Sequence, residues 1–275
     1  MDSPSQPLNA PETSARIGAA SPAHAWLLRL RGWALPLALL GALEWAARSL
    51  GGTSDAIAPP SAAAAAWGRA LLDGSLLTST AFTLGSAALG LLLGAAAGIA
   101  LGIGLGLSQR AARWSFLSVE VLRPIPSVAL IPLAMLVFGF GLGLNVSVVA
   151  FACFWPMLVL SQAAVRQVEP GLLEMAAALG LSQRAQIGKI IVPAIVPRLF
   201  VALRLGVAIA LIVAVTVEIA ANPNGMGYAM MLAQQSMEPA LMWAWLFWIG
   251  VLGFGVNAAT LGLQNRVARR MGALL

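Results

Sequence analysis

Long apolar runs free of charge constrain this chain more than any other feature. Residues 80–107 hold no Asp, Glu, Lys or Arg, and comparable runs recur along the sequence. Only 9% of the 275 residues are charged and 60% are hydrophobic, whereas soluble domains carry roughly a quarter charged residues. A globule of this length still exposes much of its surface, so the apolar excess needs lipid as its solvent. A spanning helix takes about 20 mostly apolar residues. Runs at 33–50, 80–107, 127–140, 146–165, 199–221 and 241–263 supply about six. The expected fold is an all-α polytopic membrane bundle with a transmembrane domain over 33–272.

The first run is the weakest. Basic residues precede it, as in a signal peptide, but it starts late, contains Glu44 and lacks a clear small-residue cleavage site. Residues 1–32 form a tail, polar and rich in Ser, Pro and Ala through residue 25, and are expected to be disordered in the cytoplasm. An Ala-rich segment after Ser61 is expected to lie at the membrane surface with Trp67 as its anchor.

Charge placement sets the orientation. With the N terminus inside, all but Arg48 and Arg69 of the 16 Lys and Arg fall on inward segments, which predicts that both termini are cytoplasmic. The net charge of +6 therefore reads as a topology signal. No basic stripe with interleaved aromatics points to nucleic acid. One cysteine, Cys153, and one histidine, His24, leave no disulfide, metal cluster or Cys/His nucleophile set. Gly188-Lys189 lacks the upstream glycine and the hydroxyl of a phosphate-binding loop. The chain is expected to be a non-catalytic subunit with no cofactor of its own.

Two features inside the spans bear on packing and path. Glycines at 90, 94, 98, 102 and 106 repeat every four residues, which makes a side-chain-free ridge for close helix approach. Pro124, Pro126 and Ser127 open a proline-broken stretch reaching Pro132. It reads either as a broken helix lining a substrate path or as an interfacial turn. Glu218 near the outer end of the fifth span faces a bundle interior or cavity, or sits at headgroup level before the turn at Asn222-Pro223-Asn224-Gly225.

The segment between the fourth and fifth spans, 166–192, is too charged to cross. Pro170 suits a first helical turn, Leu172, Met175, Ala176 and Leu179 share a face, and Gly180 suits a helix end. Ser182 then caps a second short helix expected to stop before Pro193. Such an element offers an apolar knob to a soluble partner. Glu174 is expected to orient it through Arg184 or Arg198.

The spacing Glu174-Met175-Ala176, three residues, Gly180, nine residues, Ile190-Ile191-Val192-Pro193 resembles the cytoplasmic loop of ABC-type importer permeases. Met175 and Val192 replace the usual Ala and Leu while staying apolar. Arg123 to Pro132, Phe138-Gly-Phe-Gly141, Glu218-Ile-Ala-Ala and Gly225-Met-Gly227-Tyr228 are similar to the nitrate/sulfonate/taurine/bicarbonate-type branch. The resemblance covers roughly 33–272. It implies a bacterial inner-membrane permease whose coupling loop (Glu174, Met175, Ala176, Gly180, Ile190, Pro193) docks on a separate ATPase that uses ATP and Mg. Further implied partners are a second copy of this chain, two ATPase copies and an extracytoplasmic binding protein. Pro124, Pro126, Ser127, Glu218, Gly225 and Gly227 are the residues expected along the path. The alternatives are a secondary transporter or channel driven by an ion gradient, and a permease for thiamine-precursor pyrimidines.

Overall fold

A computed structural model describes residues 22–50 and 57–270; the expected tail lies, up to residue 21, outside the described residues. The described residues are mostly helical, with short turns between helices and without strands. In chain order they form α1 (Pro22–Leu50), α2 (Pro60–Leu72), α3 (Ser75–Leu107), α4 (Gln109–Leu122), α5 (Ile131–Phe138), α6 (Leu142–Arg166), α7 (Pro170–Ala178), α8 (Gln183–Gln186), α9 (Val192–Ala220), α10 (Met226–Gln235) and α11 (Pro239–Arg270). A 3-10 turn, Ser127–Leu130, leads into α5, and a π-helical turn, Ile187–Ile191, joins α8 to α9.

Four of these stretches are long and apolar enough to cross a bilayer: α3, α6, α8 through α9 taken as one helix, and α11. The third run, expected at 127–140 after a proline-broken stretch, is one half of a bent pair. α4 and the segment Ser127–Phe138 meet at 81°, because Pro124 and Pro126 remove the N–H groups that a continuous helix would need. Pro132 lies in the first turn of α5, where a missing N–H costs nothing. Helix α1 begins at Pro22, ahead of the boundary expected at residue 33, and holds Pro36 inside it. It is not among the four.

The centre of the fold is the seam between α3 and α6, and the expected glycine ridge makes it. A methyl group on Gly90 would come within 2.6 Å of Val149, and one on Gly98 within 2.8 Å of Met157 Cβ. Methyls on Gly94 and Gly102 would run into the Ala150 and Leu158 carbonyls, and one on Gly106 into Val165. The backbones touch, which is how helices gain dispersion energy where lipid gives no hydrophobic driving force. Partners rise together in number along both helices, so α3 and α6 run parallel. The intervening chain must therefore return along the bundle, and the bent pair is its return stroke.

Helix α9 packs antiparallel on this pair. Cys153, Val149, Ala210, Ala214 and Val217 form the buried middle. Outward-facing Leu92, Ile212 and Phe254 are 65%, 67% and 76% exposed, as a lipid-facing surface requires. Helix α11 runs antiparallel to α9, with Arg204 Nε donating to Asn257 Oδ1 at 3.4 Å. Helix α2 forms where the surface helix is expected, its first turn tied to α1 by Ser61 N and Oγ donating to the Glu44 carboxylate at 3.0 and 2.7 Å. Trp67 turns inward, however, and tilts against Trp248 with ring centres 5.7 Å apart. In the turn before α3, hydrogen bonds from the Ser75 hydroxyl and N–H hold the Asp73 carboxyl below its usual range.

Candidate functional site

Two sites stand at opposite ends of the bundle. The first is the turn between α6 and α9. Pro170 starts α7, as its fixed φ favours. The helix ends in a paired closure: Gly180 N–H donates to Ala177 O at 3.0 Å and Leu181 N–H to Ala176 O at 3.1 Å. This double bond pattern requires a left-handed residue at the first position past the helix, and Gly180 has φ +67. A side chain there would meet no neighbour within 4 Å. The glycine is needed for its backbone conformation, as its position at the helix end predicts.

Ser182 Oγ then caps α8, accepting from Ala185 N–H at 3.4 Å, and Gln186 Nε2 donates back to Leu181 O at 3.0 Å. The second helix does not stop before Pro193. It passes through the π turn, where Val192 N–H bonds to Ile187 O, and continues as α9. The wider turn fits Pro193, whose ring would press on the carbonyl four residues back in a tight helix. The turn is thus mounted directly on a continuous rod, Gln183–Ala220.

One face of the turn is anchored and the other is bare. Leu173 and Ile187 pack against Val165, Val168, Ile191 and Ile195, and Ala176 is fully buried. Met175 and Leu179 are 53% and 70% exposed. Ile190 is half-buried and Pro193 exposed. Glu174 is exposed and pairs with neither Arg184 nor Arg198; Arg198 Nη1 donates instead to Ala164 O at 3.2 Å. The expected orienting ion pair is absent, and the backbone closure with its apolar anchor holds the turn.

The second site surrounds Glu218 at the far end of α9. Its side chain is 1% exposed, so it faces the interior of the bundle. Oε2 accepts from Thr83 Oγ1 at 2.9 Å and from Gly227 N–H at 3.0 Å, and Oε1 accepts from Asn145 Nδ2 at 3.0 Å. Asn145 Oδ1 accepts in turn from Asn222 Nδ2 at 2.7 Å, which also donates to Gly141 O at 2.8 Å. Thr83 Oγ1 accepts from Met226 N–H at 3.0 Å. Gly225 and Gly227 belong to the same site, because a methyl on either would collide with Glu218. Pro124, Pro126 and Ser127 are not brought to it; Pro124 and Pro126 are exposed at the α4–α5 break. As partners of Glu218, Thr83, Asn145 and Asn222 are not marked by the sequence, which shows Asn222 only as part of a turn. Their signal is polarity at the ends of apolar runs, which a surface turn produces equally well.

No group of three His, Cys, Asp or Glu able to hold a metal occurs among the described residues.

Residues 90–273 match the family described as binding-protein-dependent transport system inner membrane component. The putative aliphatic sulfonates transport permease protein SsuC of Bacillus subtilis (strain 168) is 30% identical over 244 residues, 88% of each chain. The protein of the same description from Escherichia coli (strain K12) is 32% identical over 220 residues, 80% of this chain and 83% of its own length. Among solved structures, the methionine ABC transporter MetNI in an inward-facing form aligns with TM-score 0.60 at 18% identity, over 69% of this chain and 92% of that one. The last likeness concerns the fold. The match over two thirds of the sequence, together with relatives aligned nearly end to end, makes this chain a member of the binding-protein-dependent transport system inner membrane component family.

Proposed function

We propose that this chain is the permease subunit of an ATP-driven importer for small sulfonates or similar anions, such as taurine, nitrate or bicarbonate. The observation that carries the reading is the α7 turn: an apolar knob with bare Met175 and Leu179, fixed by a glycine closure and mounted on a continuous spanning rod. Such an element suits a soluble partner that pushes on it. The naming of the relatives as aliphatic sulfonate permeases supports the substrate class.

On this reading the α7 turn and both termini face the cytoplasm, and α10 lies on the outer side. The four long helices, the bent pair and α1 make six crossings. The chain performs no chemistry itself; ATP and Mg belong to the partner ATPase. One docking turn per chain and two ATPases working together imply a homodimer with two ATPase copies, served by one extracytoplasmic binding protein. The path runs past the α4–α5 break at Pro124, Pro126 and Ser127, with the Glu218, Gly225 and Gly227 cluster at its outer end.

The test is Gly180→Asp, which puts a charge and a side chain on the knob. Membrane levels of the permease stay normal, ATPase co-purification falls and sulfonate uptake into vesicles is lost. Glu174→Ala, which removes an exposed and unpaired acid, has a milder effect. Retention of both ATPase binding and ATP-driven uptake in Gly180→Asp would sink the docking assignment.

A further inference from the structure

Glu218 is a buried acid without a cation: among the described residues the one ion pair is Arg48 with Glu44, on α1. An isolated carboxylate in an apolar interior is costly unless hydrogen bonds take the place of its water. Here three donors do so, each from a different segment, α3, α6 and the start of α10.

The donors also point one way. Asn224 donates to Asn222, Asn222 to Asn145, and Asn145 to Glu218. From the other side, Met226 N–H donates to Thr83, which donates to Glu218. The chain of bonds ends on a group that only accepts, so Glu218 is its terminus. The N-terminal N–H groups of α10 have no intrahelical acceptors. Two of them are satisfied here, one by Glu218 and one by Thr83, and the positive end of α10 faces the carboxylate.

The glycines fit this role. Gly225 leaves the space that the Glu218 carboxyl fills, and Gly227 lets the first turn of α10 approach the Val215 carbonyl. Past that turn α10 is held by apolar contact, Ala233 sharing a buried cluster with Leu76 and Trp245.

We propose that Glu218 is a positioning residue that fastens α10 across this end of the bundle and locks the α5–α6 turn to the same unit through Asn145 and Asn222. α10 then stays seated while the α7 turn at the opposite end is worked by its partner. The proposal rests on the permease reading for the partner at the α7 turn and for the ATPase and uptake readouts, whereas the labelling readout is independent of it.

The experiment uses Ala233→Cys on α10, a buried position (3% exposed), labelled in membranes with a maleimide. Native Cys153, fully buried in mid-bundle, is the internal control, and peptide mass mapping distinguishes the two sites. Adding Glu218→Ala removes the terminus of the network and raises labelling at position 233 about ten- to hundredfold, the population shift that a lost charge-assisted bond produces. Glu218→Gln gives a smaller rise, since its amide keeps one acceptor but turns a donor toward another donor. Cys153 stays unlabelled throughout, ATPase co-purification is kept and uptake falls. Should Glu218→Ala not accumulate, Thr83→Val, which cuts the link to Met226 with little change of volume, decides by the same labelling. Labelling of both cysteines would show general loosening, and no change at position 233 would show that apolar contacts hold α10; either result overturns the proposal.

Discussion

Glycine does opposite work in two regions of this protein. Along the α3–α6 seam, Gly90, Gly94, Gly98, Gly102 and Gly106 keep ordinary helical backbone, and each is required because a single added carbon would strike the neighbouring helix. At the α7 turn, Gly180 has open space around it and is required because its φ of +67 disfavours any side chain. The first set holds the scaffold together. The second shapes a surface left for something else. Sequence spacing distinguishes them: five glycines in a four-residue period belong to a face, and one glycine after an apolar helical turn belongs to an end.

The largest expected effect breaks the seam. Gly94→Leu or Gly98→Leu drives four side-chain atoms into backbone and costs about 3 kcal/mol or more, read as collapse of the detergent melting temperature and of expression. Full stability in either variant would mean that α3 and α6 are not in backbone contact.

A sharper version stays on one helix. Gly102→Ala runs into the Leu158 carbonyl and costs roughly 1–3 kcal/mol. Gly104→Ala, two residues on and facing open space, gains up to about 1 kcal/mol from helix propensity. Thermal melts of the pair should move in opposite directions; equal shifts would dissolve the ridge as a distinct face.

At the turn, Gly180→Ala is expected to cost about 1 kcal/mol through its left-handed φ alone, and Gly180→Asn less, since Asn tolerates that region. Proteolysis at the α7–α8 junction reads this directly, and Ala outperforming Asn would contradict the backbone explanation.

The smallest effect lies at the end of α10. Met237 closes that helix with the same paired bonds but at φ 55, without being glycine. Met237→Gly relieves the strain and is expected to stabilise by under about 1 kcal/mol, visible as a small rise in melting temperature.

Local physics made much of this protein legible in its sequence. Charge-free runs longer than a bilayer demand lipid and helices, a four-residue glycine period demands a packing face, and Pro170 followed by Gly180 frames a short helix with a left-handed stop. Each rests on near neighbours in the chain, so no fold is needed to read it. What the tertiary structure decided involves residues far apart in number. The 81° bend at Pro124 and Pro126 is a break whose angle depends on what the two halves pack against. The continuous passage of α8 into α9 turned on whether a π turn would absorb Pro193. The pairing expected of Glu174 failed because its side chain faces outward, a direction fixed by the apolar anchor beneath. Glu218 shows the difference most clearly. Its donors come from residues 83, 145 and 227, and a carboxylate at the end of an apolar run reads the same in sequence whether water or protein surrounds it. Only the antiparallel crossing of α6 and α9 beside the start of α3, closed by the first turn of α10, brings three neutral donors to it and removes the water.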